Sequence, residues 1–276
     1  MNNLEKKINK IKKMCLNMRK NVLDMAMNAG SESSHFGGGL SIIEITATLY
    51  GAVMNYDLKN PKWKLRDKFI LSKGHGVLGL YAALAEVGII TKNDLANFEK
   101  SNGFLFGHPI MNIEKGIEVS SGSLGMGLSV GIGMAIASIK KKLKNKIFVL
   151  LGDGECNEGS NWEAFMSAPK YKLDNLFLIL DRNNLQQTGS SKDIMDIGDM
   201  SEKLRNFGWH VIEVNGHNID ELLKSFSSNI KNKPIAIVAN TIKGKGFSFS
   251  ENNNDWHHKI LSKSQYEIAI NELGLK

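Results

Sequence analysis

Two polar turns, each directly after an apolar run, hold the residues of this chain most suited to chemistry. Asp153 stands between two glycines in KIFVLLGDGE, and Asn183 occupies the corresponding place in NLFLILDRNN. A carboxylate and an amide oxygen brought together form an oxygen-only site, and oxygen donors suit Mg²⁺ or Ca²⁺. So few protein ligands leave coordination positions open for the phosphate oxygens of a bound molecule. The flanking Gly152 and Gly154 would let the backbone approach a diphosphate closely.

A GDG triplet by itself is usually a plain turn. The second turn changes the balance, because both turns follow runs that have the character of buried strands. If those strands are neighbours in a sheet, Asp153 and Asn183 converge beyond their carboxyl ends, where α/β sheets bind ligands. The pattern therefore favours a clamp for a metal ion and a diphosphate over an ordinary turn.

The elements that must position these turns are short apolar runs alternating with amphipathic segments. We predict strands at Phe69–Leu71, Ile147–Leu151, Leu176–Leu180, His210–Val214 and Ile235–Ala239. Helical periodicity covers residues 3–29, 40–54, 75–87, 123–142, 158–170, 199–206 and 218–229. The last four strands lack polar alternation, which is typical of strands buried on both faces of a parallel sheet. The sequence therefore predicts an α/β protein whose doubly wound, mainly parallel sheet carries helices on both faces.

Composition narrows the class of protein. The 276 residues, 42% of them hydrophobic, are enough for one large α/β domain or two small ones. The formal net charge is +7, but the lysine clusters fall on the solvated face of a predicted helix and at a helix end. We therefore predict no nucleic-acid partner, and we also predict no membrane-spanning run and no signal peptide. Cys15 and Cys156 are interpreted as reduced thiols of a cytoplasmic protein.

Ordered motifs along most of the chain resemble the transketolase family. The two polar turns resemble the family's thiamine-diphosphate motif, and the other blocks are NAGSESSHFGGGLSIIEITATLY, LSKGHGVLGLYAALAEVG, FGHP, SSGSLGMGLSVGIGMAIA, TIKGKGFSF and DWHHK. The resemblance covers about residues 15 to 260 in the family's order. It implies that residues 1–276 form a single diphosphate-binding domain, which would bind thiamine diphosphate and Mg²⁺. Ca²⁺ and Mn²⁺ are alternatives to Mg²⁺. It also implies a split enzyme, in which a C-terminal subunit carries the pyrimidine-binding and C-terminal domains, as an α2β2 assembly.

Individual roles follow from the same resemblance. The metal is expected on the side chains of Asp153 and Asn183 and on the carbonyl of Leu185. Cofactor contacts are expected from His75, Gly122, Ser123, Leu124, Gly152, Asp153, Gly154, Glu155, Asn183, Lys243 and His257. Catalytic roles are expected for His35, His75, His108, His257 and Glu158, the last by linking paired sites across a dimer.

Residue chemistry gives plainer interpretations of some of these positions. Lys243 could simply be solvated, although its place after a strand and beside two glycines favours a diphosphate contact. The four predicted histidines match no compact zinc signature, so hydrogen-bonding and proton-transfer roles are favoured. His210, His217 and His258 are interpreted as structural or surface residues. Because DWHHK departs from the family's usual ending, the choice between His257 and His258 stays open here, and GSESSHFGG is longer than the usual turn.

The predicted activity is the transfer of a two-carbon ketol unit from a ketose to an aldose, with phosphorylated sugars as expected substrates. Thiamine-dependent acyl transfer from a 2-oxo acid to a sugar is the alternative within the same cofactor chemistry. A non-catalytic binding protein that kept the fold is the alternative from another class.

Overall fold

The computed structural model describes residues 2–275. Its strands are β1 (Lys68–Leu71), β2 (Ile147–Gly152), β3 (Leu176–Arg182), β4 (His210–Asn215) and β5 (Ile235–Asn240). They pair in parallel in the order β1-β2-β3-β5-β4. The adjacency of β2 and β3 on which the predicted site depends is therefore present, with Gly152 opposite Asp181 in the register.

The helices lie between and around these strands. Their bounds are α1 (Asn3–Ala29), α2 (Phe36–Leu40), α3 (Ile43–Thr48), α4 (Val77–Glu86), α5 (Lys92–Ala96), α6 (Gly127–Lys140), α7 (Gly159–Lys170), α8 (Ser191–Met195), α9 (Met200–Phe207), α10 (Ile219–Phe226) and α11 (Lys263–Glu272). Helix α1 begins with a capping box, in which Asn2 and Glu5 satisfy each other's backbone N–H groups. The bounds of α1 agree with the prediction, whereas α5, α8 and α11 are short or weakly periodic and were not predicted.

Helices cover both faces of the sheet, as predicted. One apolar cluster packs Phe148 and Leu150 of β2 against α1, α3, α4 and α10. A second packs Val149 and Leu151 against α6, α7 and α9. Alternate residues of one strand point to opposite faces, so the continuous apolar run in β2 fills two cores. This is why the buried strands lack polar alternation.

Two predicted elements differ from the structure. The run His210–Val214 was predicted to be a buried strand, but β4 is the edge of the sheet and most of it is half-buried or exposed. Its Glu213 faces outward and pairs with Arg182 and Arg205. The predicted helix at residues 40–54 is in fact α2, α3 and a π-helical turn over Leu49–Val53.

Residues Phe36–Val53 are long and apolar enough to cross a membrane by length and composition alone. The sequence analysis, which predicted no membrane-spanning run, overlooked this segment. In the structure 83% of this segment is buried inside the protein. It contributes the side chains of Phe36, Leu40 and Ile45 to the first apolar cluster. The segment is accounted for as a core element that packs on α1 and α4.

Candidate active site

The polar turns after β2 and β3 meet at the carboxyl edge of the sheet. Asp153 and Asn183 line one cavity of about 280 Å³, together with Leu185 and Lys243. The carboxylate of Asp153 accepts hydrogen bonds from the backbone N–H of Gly154 at 2.8 Å and of Asn184 at 2.5 Å. The amide oxygen of Asn183 accepts from the N–H of Leu185 at 3.1 Å. Both side chains are thus held by local backbone groups and border a shared space.

The surroundings of Asp153 are those of a buried carboxylate that a bound cation would stabilise. It is 8% exposed, and within residues 2–275 no lysine, arginine or histidine forms an ion pair with it. Burial, and then the charge of Asp181, raises its pKa to about 6. A divalent ion would remove this penalty, and an acidic oxygen, an amide oxygen and a backbone carbonyl are the donors such an ion prefers. The residues present therefore fit a hard divalent cation.

A buried ion pair that the sequence analysis missed lies beneath this site. Lys73 is 1% exposed and Asp181 is 0% exposed, and their charged atoms are 2.5 Å apart. The carboxylate of Asp181 also accepts hydrogen bonds from Ser41 at 2.7 Å, from Asn183 at 3.1 Å and from Thr241. Burial alone would raise the pKa of Asp181, but the Lys73 charge and these donors lower it below its ordinary value. The pair orients Asn183 toward the cavity.

Glu155 organises the loops around the cavity. Its carboxylate accepts from the hydroxyl of Ser72 at 2.5 Å and from the N–H groups of Gly125 and Gly152 at 2.9 and 3.1 Å. These donors come from the end of β1, the loop before α6 and the end of β2. Burial raises the pKa of Glu155 despite them. The side chain therefore ties three segments together beside the space that a diphosphate would occupy.

Lys243 reaches the cavity from the loop that follows β5. Its ammonium group donates to the carbonyl of Gln186 at 2.7 Å and is buried with the rest of the side chain. Burial, and then the positive charge of Lys73, lowers the pKa of Lys243 to about 8. The solvated interpretation of this lysine is wrong, and an anion bound in the cavity would stabilise its charge.

A second ionic group fixes the Lys243 loop to the core. The Nε2 atom of His217 accepts from the N–H of Ile242 at 2.9 Å, so its Nδ1 atom donates to Glu44 at 2.8 Å. Arg19 pairs with the other oxygen of Glu44 at 2.6 Å. Burial favours the neutral acid, but the hydrogen bond from His217 and the charge of Arg19 hold the pKa of Glu44 below its ordinary value. His217 is structural, as the sequence indicated.

Histidines from four separate segments gather at the mouth of the cavity. The ring of His35 lies 5.6 Å from that of His75, 5.3 Å from that of His108 and 5.4 Å from that of His257, measured between centroids. His75 and His257 are 5.3 Å apart and both line the cavity. Within residues 2–275, no set of three His, Cys, Asp or Glu side chains is arranged to hold a metal ion.

The imidazoles of His35, His75 and His257 are neutral at ordinary pH. Burial, and then the neighbouring histidines and Lys243, lowers the pKa of His35 to about 3. Burial, Lys243 and Lys73 lower the pKa of His257 to about 4. The pKa of His75 lies well below its usual range for the same reasons, burial being the largest. A neutral imidazole carries one donor and one acceptor nitrogen, so these rings can bind hydroxyl groups and take up protons.

Close backbone packing sets the positions of the rings. A Cβ on Gly38 would lie 2.9 Å from Cδ2 of His75, and a Cβ on Gly122 would lie 2.9 Å from Cδ2 of His108. Gly122 also has a φ of 144°, which side chains rarely adopt. The loop that carries His108 is held further by Glu99, whose carboxylate accepts from the N–H of Gly107. The glycines of the sequence motifs are therefore steric requirements of the histidine cluster.

The structure brings most of the predicted site residues together. The predicted residues that line the cavity are His75, Leu124, Gly152, Asp153, Gly154, Glu155, Glu158, Asn183, Leu185, Lys243 and His257. His35, His108 and Gly122 lie at its mouth, and Ser123 is exposed beside Leu124. His210 is on the edge strand, away from the cluster. Lys73 and Asp181 were missed, although a charged residue at the end of an apolar strand could have signalled them.

His258, interpreted from the sequence as a structural or surface residue, also lies at the mouth of the cavity. It is exposed, yet its ring centroid is 4.4 Å from that of His35. His257, by contrast, lines the cavity. The two neighbouring histidines thus both belong to the mouth, with His257 facing inward and His258 facing outward.

Comparison with known sequences supplies an independent finding. A family model described as the thiamine diphosphate binding domain of transketolase matches residues 11–276. The chain is 43% identical over 251 residues to one subunit of the apulose-4-phosphate transketolase from Actinobacillus succinogenes, covering 90% of this chain and 91% of that protein. It is 41% identical over 241 residues to a 6-deoxy-6-sulfo-D-fructose transketolase subunit from a Clostridium species, covering 87% and 88%.

Longer relatives match over only part of their length. Human transketolase is 37% identical over 270 residues, which are 98% of this chain and 43% of the human protein. Among solved structures, transketolase from Leishmania mexicana superimposes with a TM-score of 0.89 at 29% identity, covering 96% of this chain and 41% of that one. The chain therefore spans less than half of these transketolases.

Proposed function

The chain belongs to the transketolase family, matching its thiamine diphosphate-binding domain, and from this premise we propose that it is the cofactor-binding subunit of a two-chain transketolase. The proposed reaction transfers a two-carbon ketol unit from a ketose to an aldose. The observation that supports it most is that a cavity lined by a buried carboxylate and an amide adjoins a cluster of histidines at its mouth. A diphosphate and a sugar would need two such adjoining regions.

Thiamine diphosphate, when bound, supplies the nucleophilic carbon that this chemistry requires. On this chain, Asp153, Asn183 and the Leu185 carbonyl would hold Mg²⁺ against the diphosphate, with Ca²⁺ or Mn²⁺ as alternatives. Lys243 would contribute a buried positive charge to the same phosphates. Gly154 and the loop at residues 122–124 would lie against the cofactor.

The histidines would act on the sugar. His75 and His257 border the cavity, so they would contact groups nearest the reacting carbons, and His35 and His108 would contact groups farther out. Burial keeps the rings of His35, His75 and His257 neutral, so each presents an acceptor nitrogen that can hydrogen-bond to a hydroxyl group of the sugar. Exposed Glu158 would act at the contact between paired subunits.

The partner and the substrates extend the proposal. Relatives with subunit names imply a second chain, and we propose that it carries the pyrimidine-binding and C-terminal domains in an α2β2 enzyme in the cytoplasm. This chain would then be a single diphosphate-binding domain. The relatives' names specify a sugar phosphate and a sulfosugar, so anionic sugars are the proposed substrates.

Activity and cofactor binding can be tested separately. The purified chain, mixed with its partner subunit, thiamine diphosphate and Mg²⁺, should transfer a ketol unit from D-fructose 6-phosphate to an aldose phosphate. Asp153→Ala should abolish Mg²⁺-dependent cofactor binding measured by calorimetry, whereas Asp57→Asn, on an exposed turn, should leave it unchanged. Cofactor binding that survives Asp153→Ala would refute the assigned site.

Release of CO₂ from pyruvate, without ketol transfer, would instead favour acyl transfer from a 2-oxo acid.

A further inference from the structure

His258 extends the histidine cluster toward solvent. His75 and His257 line the cavity, His35 lies beyond them, and His258 packs on the outer side of the cluster through its contact with His35. The two rings are inclined by 52° at a centroid distance of 4.4 Å. The imidazoles therefore form a path that leads outward from the cofactor end of the site.

His258 has a polar companion at this outer position. The hydroxyl oxygen of Ser33 lies 3.0 Å from both ring nitrogens of His258. Ser33 has a φ of 55°, a conformation that residues with a side chain rarely adopt. Such a conformation persists only where the surrounding structure enforces it.

The backbone around the pair supplies that enforcement. Ser34 and Lys259 form an antiparallel bridge, with N–H to carbonyl distances of 3.3 and 3.1 Å in the two directions. This bridge joins the segment that carries Ser33 and His35 to the segment that carries His257 and His258. The outer pair is consequently in place before any ligand arrives.

The chemistry of the pair matches a polyol. A serine hydroxyl both donates and accepts, and an imidazole presents nitrogens of both kinds. Sugar hydroxyls have the same dual capacity, and both residues remain accessible at the rim. The carboxylates of Asp153, Asp181 and Glu155 are buried at the opposite end of the site.

We propose that Ser33 and His258 form an outer subsite that binds the hydroxyl groups of a sugar beyond its reacting carbons, so that His258 is a specificity-determining residue for sugar length. This inference rests on the proposed ketol transfer. A five-carbon acceptor reaches the outer subsite, whereas a two-carbon acceptor ends among the inner histidines.

The test compares two acceptors in the assembled enzyme. The value of kcat/KM is measured for D-ribose 5-phosphate and for glycolaldehyde with the wild type, His258→Ala, His258→Asn and Ser33→Ala. Loss of one or two hydrogen bonds predicts a roughly tenfold fall in the ratio of the two values for His258→Ala, through KM. His258→Asn, which keeps a donor and an acceptor, should recover part of the ratio. His210→Ala, on the half-buried edge strand, is the matched control and should leave it unchanged.

Two outcomes would overturn the subsite. Unchanged kcat/KM values for both acceptors in His258→Ala mean that the ring does not contact the sugar. An equal fold loss for both acceptors, which leaves the ratio unchanged, means that the ring only supports His35. If the wild type transfers no ketol unit to either acceptor, the proposed function fails, and calorimetric binding of D-ribose 5-phosphate decides the subsite independently. Binding that His258→Ala weakens roughly tenfold would support the subsite, and equal binding would refute it.

Discussion

Replacing Lys73 by methionine should strongly destabilise the chain. The substitution keeps most of the aliphatic stem but removes the ammonium group paired with Asp181, leaving a carboxylate with 0% exposure. Removing one partner of a buried ion pair costs about 3–5 kcal/mol. Because Asp181 keeps hydrogen bonds from Ser41, Asn183 and Thr241, we expect about 3 kcal/mol, at the lower end of that range.

Urea unfolding of the isolated chain measures this loss. Lys224→Met is the matched control, because the ion pair of Lys224 with Asp220 is largely exposed, and its loss should cost less than about 1 kcal/mol. Adding Asp181→Asn to Lys73→Met should restore part of the stability, since it removes the unpaired charge. A loss below about 1 kcal/mol for Lys73→Met, or a double variant whose losses simply add, would refute the reasoning.

The stability loss of Lys73→Met should also depend on pH in a direction that the pKa of Asp181 sets. In the wild type, Lys73 lowers the pKa of Asp181 below its ordinary value of 3.8. Without Lys73, we expect burial to raise this pKa above 3.8. The destabilisation is then complete above the raised pKa and disappears as the pH falls below the unfolded value. The stability deficit of Lys73→Met should therefore shrink from pH 7 toward pH 4, and a constant deficit would count against an unpaired carboxylate as its cause.

Two further perturbations test other parts of the structure. Gly38→Ala places a Cβ 2.9 Å from His75, so it should cost about 1–3 kcal/mol of unfolding free energy and lower kcat of the assembled enzyme roughly tenfold or more. Gly133→Ala, whose Cβ meets nothing within 4 Å, should not destabilise the isolated chain, and an unchanged kcat in Gly38→Ala would contradict the steric argument. The pKa of Glu44 lies below its ordinary 4.5, so wild type should be more stable than Glu44→Gln above pH 4.5 and lose that advantage as the pH falls through the lowered value. Denaturant unfolding at pH 7 and at successively lower pH checks this, and an undiminished advantage in strong acid would contradict it.

The sequence by itself determined where the strands lie and which polar residues follow them. A strand buried on both faces is apolar throughout, because a polar side chain on either face would lie in a core. For this reason β2 and β3 can be recognised in the sequence as continuous apolar runs. Asp153 and Asn183 follow those runs, and the parallel pairing of β2 with β3 brings them to one cavity. The glycines of the motifs were also evident from the sequence. Their structural reason is that a side chain at Gly38 or Gly122 would collide with a histidine ring.

Only the tertiary structure decided which distant side chains meet. Lys73 follows β1 and Asp181 is in β3, with β2 between these two strands. Their pairing depends on the side chain of Lys73 passing beside Gly152 at the end of β2. The apolar composition of β4 does not reveal that this edge strand is partly exposed, whereas β1 at the other edge is mostly buried. His258 joins His35 because an antiparallel bridge brings two remote loops together. Periodicity along a chain reports which residues are buried, whereas a contact between loops depends on the path of everything between them.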